Sequence, residues 1–164
     1  MWLANKVALG VFALDQLTKL GVVWGLGLAQ RGEIDVIRPL LNFRMAWNRG
    51  VNFGLMSSGA DYMRWLLIAL ALVISAWVWW WVRREGSRPR EQVFAGLLIG
   101  GALGNVVDRI AYGAVADFLN MSCCGFENPY AFNVADISIF LGAIGLVLFA
   151  GGDKRRPARR GKTP

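Results

Sequence analysis

Apolar residues gather into four long runs, at about 7–27, 63–82, 93–112 and 132–150. A helix needs roughly 20 such residues to cross the hydrocarbon core of a bilayer. The pattern therefore predicts a membrane all-α fold of four transmembrane helices in one integral membrane domain, 1–164. The first run contains Asp15, Gln16, Thr18 and Lys19, which a cleavable leader would not carry, so it reads as a retained helix. Between the first two runs the chain turns polar, and Leu40-Leu41-Asn42-Phe43-Arg44-Met45-Ala46-Trp47-Asn48 partly alternates apolar with polar positions. Period-two alternation predicts a strand or hairpin, and hence a small extracytoplasmic β-rich segment between helices 1 and 2.

Inside the third run Gly96, Gly100 and Gly104 recur every fourth residue, leaving one helical stripe without side chains for a neighbouring helix to approach. The second run ends in Trp77, Trp79, Trp80 and Trp81 followed by Arg83 and Arg84, an aromatic belt meeting a basic flank.

Composition agrees with lipid as the solvent, since 55% of the 164 residues are hydrophobic. The formal charge of +7 does not imply nucleic acid, because the cations sit beside the apolar runs: four Arg in 83–90 and six Lys or Arg in the tail, 153–164. Read as topology signals, they place the linker, the tail and both termini in the cytoplasm, with 28–62 and 113–131 outside. Arg31, Arg38, Arg44 and Arg49 in the first outer segment run against that bias without outweighing it. Histidine is absent, which removes Ser/His, Cys/His and His-ligated zinc chemistry. The adjacent Cys123 and Cys124 would make a strained disulfide and carry no assigned role.

Every carboxylate near a bilayer needs a reason, since placing one there costs about 2.5–3.5 kcal/mol on the mildest scale. Asp117 follows the third run by a few residues and Asp136 lies about one turn inside the fourth, so antiparallel helices bring both to the outer membrane surface. Two carboxylates at close range share a proton, and one can then serve as base while the other serves as acid. That chemistry hydrolyses a peptide without metal or cofactor. The same acids could equally be structural, or relay protons in a small proton-coupled transporter. Asn105 and Arg109 lie near Asp108 on the third helix, and Asn133 shares a face with Asp136, where an amide can orient a carboxylate or a substrate carbonyl. Asp15 and Lys19 are spaced for an i,i+4 ion pair, and Asp108 is expected to be neutralised by Arg109 or another cation. These three are structural polar residues. No Gly-x-Gly-Asp or Gly-x-Ser-x-Gly motif is present.

Five blocks, Asp15-Gln16-Leu17-Thr18-Lys19, Asn48-x-Gly50-x-x-Phe53-Gly54, the stretch 100–109 ending in Asn105-Val106-Val107-Asp108-Arg109, Val115-Ala116-Asp117-Phe118 and Phe132-Asn133-Val134-Ala135-Asp136, resemble in their order the lipoprotein, or type II, signal peptidase family. The resemblance implies an aspartyl endopeptidase with Asp117 and Asp136 as catalytic pair and Asn48, Gly50, Asn105, Arg109 and Asn133 supporting substrate or dyad. It implies lipid-modified prolipoprotein substrates, cleaved before a diacylglyceryl-bearing cysteine, in the bacterial inner membrane with the site at the extracytoplasmic face. Two departures stand out: Asn52 replaces a small residue, and 120–130 is longer than expected before the last block.

Overall fold

The computed structural model describes residues 1–37, 40–50, 60–84, 87–123, 125 and 128–149. Asn52, Phe53, Gly54, Cys124 and the basic tail of the sequence reading lie outside them.

Helix α1 (Trp2–Lys19) continues through a π-helical turn, Leu20–Gly25. It is followed by a short α2 (Leu28–Arg31), strands β1 (Glu33–Ile37) and β2 (Leu41–Asn48), and helices α3 (Ala60–Arg84) and α4 (Pro89–Tyr112). Strand β3 (Val115–Asn120) and helix α5 (Val134–Phe149) complete the order. Three helical stretches, Trp2–Gly25, Tyr62–Arg84 and Pro89–Tyr112, are long and apolar enough to cross a membrane. Helix α5 is apolar but has 16 residues, which at 1.5 Å per residue falls somewhat short of a hydrocarbon core about 30 Å thick.

Proline can open a helix because its missing N–H would have no partner there, and Pro89 starts α4 in this way; the backbone N–H of Arg88 donates to Glu91 Oε2 at 2.8 Å. Gly113, with φ 75°, ends the helix in the left-handed conformation that glycine adopts without strain. The glycine stripe does bring helices close. A β-carbon on Gly96 would lie 2.7 Å from the Ala4 carbonyl of α1, and one on Gly104 would lie 2.6 Å from Asp15 Oδ2. One residue round the helix, Gly101 admits α5, where the Ala135 carbonyl would be 2.5 Å away. Helix α4 is thus the central post, with α1, α3 and α5 against it.

The N-terminus donates to Gln92 of α4 at 2.9 Å, Trp79 of α3 donates to Asn5 of α1 at 3.3 Å, and Phe94 of α4 stacks on Phe149 of α5. One end of the bundle therefore collects both ends of the described chain, with Arg83, Arg84 and Arg90. The other end carries a three-stranded antiparallel sheet in the order β1-β2-β3. This corrects the expectation of a β segment confined to the region between the first two helices, because β3 comes from between the third and fourth. A bridge between Leu119 and Phe132, with hydrogen bonds of 2.8 and 2.9 Å, folds the chain back so that α5 starts beside β3. Under the sheet, Val23, Leu28, Ala116 and Phe118 form a small buried core.

Candidate active site

β3 carries Asp117, paired in register with Ala46 of β2. Asp136 is the third residue of α5, within its first turn, where the sequence reading put it about one turn down. Asn133 joins the two. Its side-chain Nδ2 donates to Asp117 Oδ1 at 2.7 Å while its backbone N–H donates to Asp136 Oδ2 at 3.2 Å. In return the Asp136 N–H donates to Asn133 Oδ1 at 2.9 Å. Residues 133 and 136 thus form a reciprocal N-terminal cap, using side chains shorter than the usual Ser and Glu. The element that starts the helix also fixes the carboxylate pair.

Two further amides complete the surroundings. Asn48, at the end of β2, donates to Asp117 Oδ2 at 3.1 Å, and Asn105 of α4 donates to Asp136 Oδ1 at 2.9 Å. Gly50, with φ 92°, presents its N–H to Asn48 Oδ1 at 2.9 Å, and a β-carbon there would lie 2.7 Å from Leu67. A side chain at 50 would be strained and crowded, so glycine holds the orienting asparagine in place.

Asp117 is 2% exposed. Burial, and then the nearby charge of Asp136, push its carboxyl up from 3.8 to about 7, against the weaker opposing pull of Asn48, Lys19 and Asn133. Side-chain amides carry no charge, so among the described residues no cation is bonded directly to either acid.

The structural polar residues form a second cluster just below. Lys19 donates to Asp15 at 2.7 Å, as the i,i+4 spacing predicts, and also pairs with Asp108 at 2.8 Å. The neutralising cation for Asp108 is therefore Lys19 of α1, and its sequence neighbour Arg109 turns elsewhere. Arg109 Nη1 donates to the Asn105 carbonyl at 3.4 Å, while its buried Nε has no partner among the described residues. Its guanidinium feels the charges of Asp136 first, then of Asp117 and Asp108.

Gln16, beside Asp15 in the first motif block, was not assigned a site role, yet its amide donates to Asp15 at 3.1 Å and to Asp108 at 3.2 Å. A cavity of about 220 Å³ runs along this face of α1, past Gln16, Lys19 and Asp108 to Trp24, Trp47 and Tyr112. Its walls do not include either acid of the upper pair. Cys123 is disulfide-bonded, so it is not a thiol. Among the described residues no three or more Asp, Glu or Cys side chains gather as metal ligands.

Helices apolar enough for lipid, closed at one end over two joined carboxylates, define the class: a membrane protein with an acid pair at one end. The profile of the family described as Signal peptidase (SPase) II matches residues 7–150. A lipoprotein signal peptidase of Methylorubrum extorquens is 43% identical over 152 residues, covering 93% of this chain and 85% of that protein. One from Methylobacterium radiotolerans is 42% identical over 156 residues, covering 92% and 90%. A solved structure described as a bacterial membrane enzyme superposes with a TM-score of 0.76 at 26% identity, covering 92% of this chain and 93% of that one. The chain belongs to the signal peptidase II family, and it is a peptidase. The reading of its acids as a transporter's proton relay finds no support among these relatives.

Proposed function

We propose that Asp117 and Asp136 are the catalytic pair of an aspartyl endopeptidase that removes the signal peptide from diacylglyceryl-modified prolipoproteins, cutting on the N-terminal side of the lipidated cysteine. The observation that carries this reading is the single asparagine, Asn133, bonded to both carboxylates, with neutral amides as the other side-chain donors to them among the described residues. A pair so held retains one proton near neutral pH, the state that acid–base hydrolysis needs.

Asp117 holds that proton, consistent with a carboxyl pushed up to about 7. Asp136, held by amide donors at the start of α5, serves as the base. Asp136 takes a proton from water as the water oxygen attacks the scissile carbonyl, and Asp117 gives its proton to the carbonyl oxygen. In the resulting diol the C–N bond breaks as Asp136 protonates the leaving nitrogen. Asp117 recovers a proton from a diol hydroxyl, and the pair returns to its starting state. Arg109, whose Nε has no partner among the described residues, holds the substrate backbone.

Four spans with both termini in the cytoplasm and the site at the extracytoplasmic face of the inner membrane fit this chemistry, because the lipidated cysteine emerges at that leaflet. The arginines at the opposite end of the bundle support the orientation. Purified protein in lipid nanodiscs, given one precursor with and without its diacylglyceryl group, should cleave only the lipidated form; equal cleavage of both would remove the lipid from the specificity. For orientation, Tyr130→Cys and Arg90→Cys probe exposed positions at opposite ends, in a background with Cys123 and Cys124 replaced by Ser. An impermeant thiol reagent added outside intact cells should label position 130 alone, and labelling of 90 alone would invert the topology. Position 120, at first sight a natural probe, is buried, its amide bonded to Asn128 and Tyr130.

A further inference from the structure

Each acid of the upper pair is preceded in sequence by an alanine, and each of these alanines has its backbone N–H held by a buried acid from another element. Ala116 N–H donates to Asp108 Oδ2 at 3.1 Å, and Ala135 N–H donates to Asp15 Oδ1 at 2.9 Å. Asp15 is 0%, Asp108 1% and Lys19 5% exposed, and the lysine bonds to both acids. Lys19 further reaches Asn105 Oδ1 at 3.4 Å, on the amide whose nitrogen serves Asp136.

We propose that Lys19, Asp15 and Asp108 form a positioning clamp that sets the separation of the catalytic carboxylates, with Lys19 as the positioning residue common to both arms. The proposal rests on Asp117 and Asp136 being the catalytic pair. One arm runs from Lys19 through Asp108 to the backbone beside Asp117, and the other through Asp15 to the backbone beside Asp136. Helix α1 supplies no group bonded to either catalytic carboxylate, yet through this one ammonium it ties β3 to the start of α5. Mutual neutralisation alone would require one cation near two acids. It would not require that each acid also hold the peptide group adjoining a catalytic residue. Gln16 bridges the same two acids from the cavity side and reinforces the tie. Fixed separation matters because a displacement of about 1 Å between reacting groups can cost about 100-fold in rate.

The charged groups gathered around the dyad are Lys19 and Asp15 from α1 and Asp108 and Arg109 from α4. Removing the lysine charge should therefore alter both geometry and proton affinity. The test compares Lys19→Met, Lys19→Arg and Gln16→Leu in nanodiscs, measuring kcat, KM, pH–rate profile and thermal midpoint on a lipidated precursor. Lys19→Met should lose about 100-fold in kcat with KM within about threefold, and the alkaline limb of its profile should move up in pH. Lys19→Arg, which can still donate to both acids, should recover most of the rate.

Folded Lys19→Met with wild-type kcat and an unmoved alkaline limb would overturn the clamp. If Lys19→Met does not fold, Gln16→Leu decides: lowered kcat at unchanged KM supports the clamp, and unchanged kcat overturns it. Asp117→Asn and Asp136→Asn, run beside these, separate the two readings. Active dyad variants would refute the catalytic pair itself, whereas dead dyad variants beside a fully active Lys19→Met would refute the clamp alone.

Discussion

Two pairs of aspartates lie one above the other at the same end of this bundle, and they differ in whether a cation is bonded between them. The lower pair, Asp15 and Asp108, shares an ammonium at 2.7 and 2.8 Å. The upper pair, Asp117 and Asp136, receives hydrogen bonds from amides. A shared cation offsets the mutual repulsion of the two carboxylates beside it. Amides carry no charge to set against the repulsion between them, and a proton kept on one relieves it. The difference between a structural pair and a proposed reactive pair thus includes the choice of lysine or asparagine as partner, with Asp15, Asp108 and Asp117 buried and Asp136 only partly so.

The largest effect should come from removing the reactive pair. Asp117→Asn or Asp136→Asn takes away the acid or the base, and cleavage of a lipidated precursor by the purified variant should fall by about 10³-fold or more. Asp117→Asn should fold at some cost in stability, because Asn48 and Asn133 donate to different oxygens of Asp117 and an amide keeps only one of those acceptors. Next, Asn48→Lys would give Asp117 the kind of neighbour that Asp15 has. It should drop activity at neutral pH by about 10²-fold and shift the remaining activity to more acid pH, and an unaltered profile would break the comparison.

The wild-type profile is itself informative. Asp117 is raised from 3.8 to about 7, so its proton is present at neutral pH and lost above it. kcat/KM should decline as pH rises past about 7, and chelators should leave it unchanged. The same shift makes a sign prediction for stability. The folded state binds this proton more tightly than the unfolded one, so its contribution is full below about 4 and gone once pH rises through about 7. Urea titrations in detergent across that window should show it.

Smaller again, Asn133→Ala removes a helix cap worth about 1 kcal/mol together with the bridge between the acids, so activity should fall much more than stability. Gly104→Ala meets Asp15 of the lower pair and, at 3.6 Å, the β-carbon of Ala135. Its methyl would press on Asp15 Oδ2, and the expected cost is about 1–3 kcal/mol in unfolding free energy with a modest loss of rate.

What the sequence disclosed followed from how local each signal is. The helices were legible as apolar runs, and β2 as alternation, since one of its faces is more open than the other. Strand β3 was not, because Val115, Ala116, Asp117 and Phe118 are all buried, and a strand covered on both faces does not alternate. The Asp15–Lys19 pair follows from spacing on one helix. Its extension to Asp108, far along the chain, depends on α1 lying against the glycine stripe of α4, and no local pattern states that. Asn133 and Asp136 were paired by their three-residue spacing. Their role as a reciprocal cap needed the helix start, which the apolar run placed two residues too early.

The account stands most directly on turnover by the dyad variants. Asp117→Asn and Asp136→Asn, purified in nanodiscs and given a diacylglyceryl-modified precursor in the presence of a chelator, should bind it and cut no detectable fraction in the time wild type takes to finish. Cleavage by either variant at the wild-type rate would contradict the assignment of these two carboxylates as the catalyst.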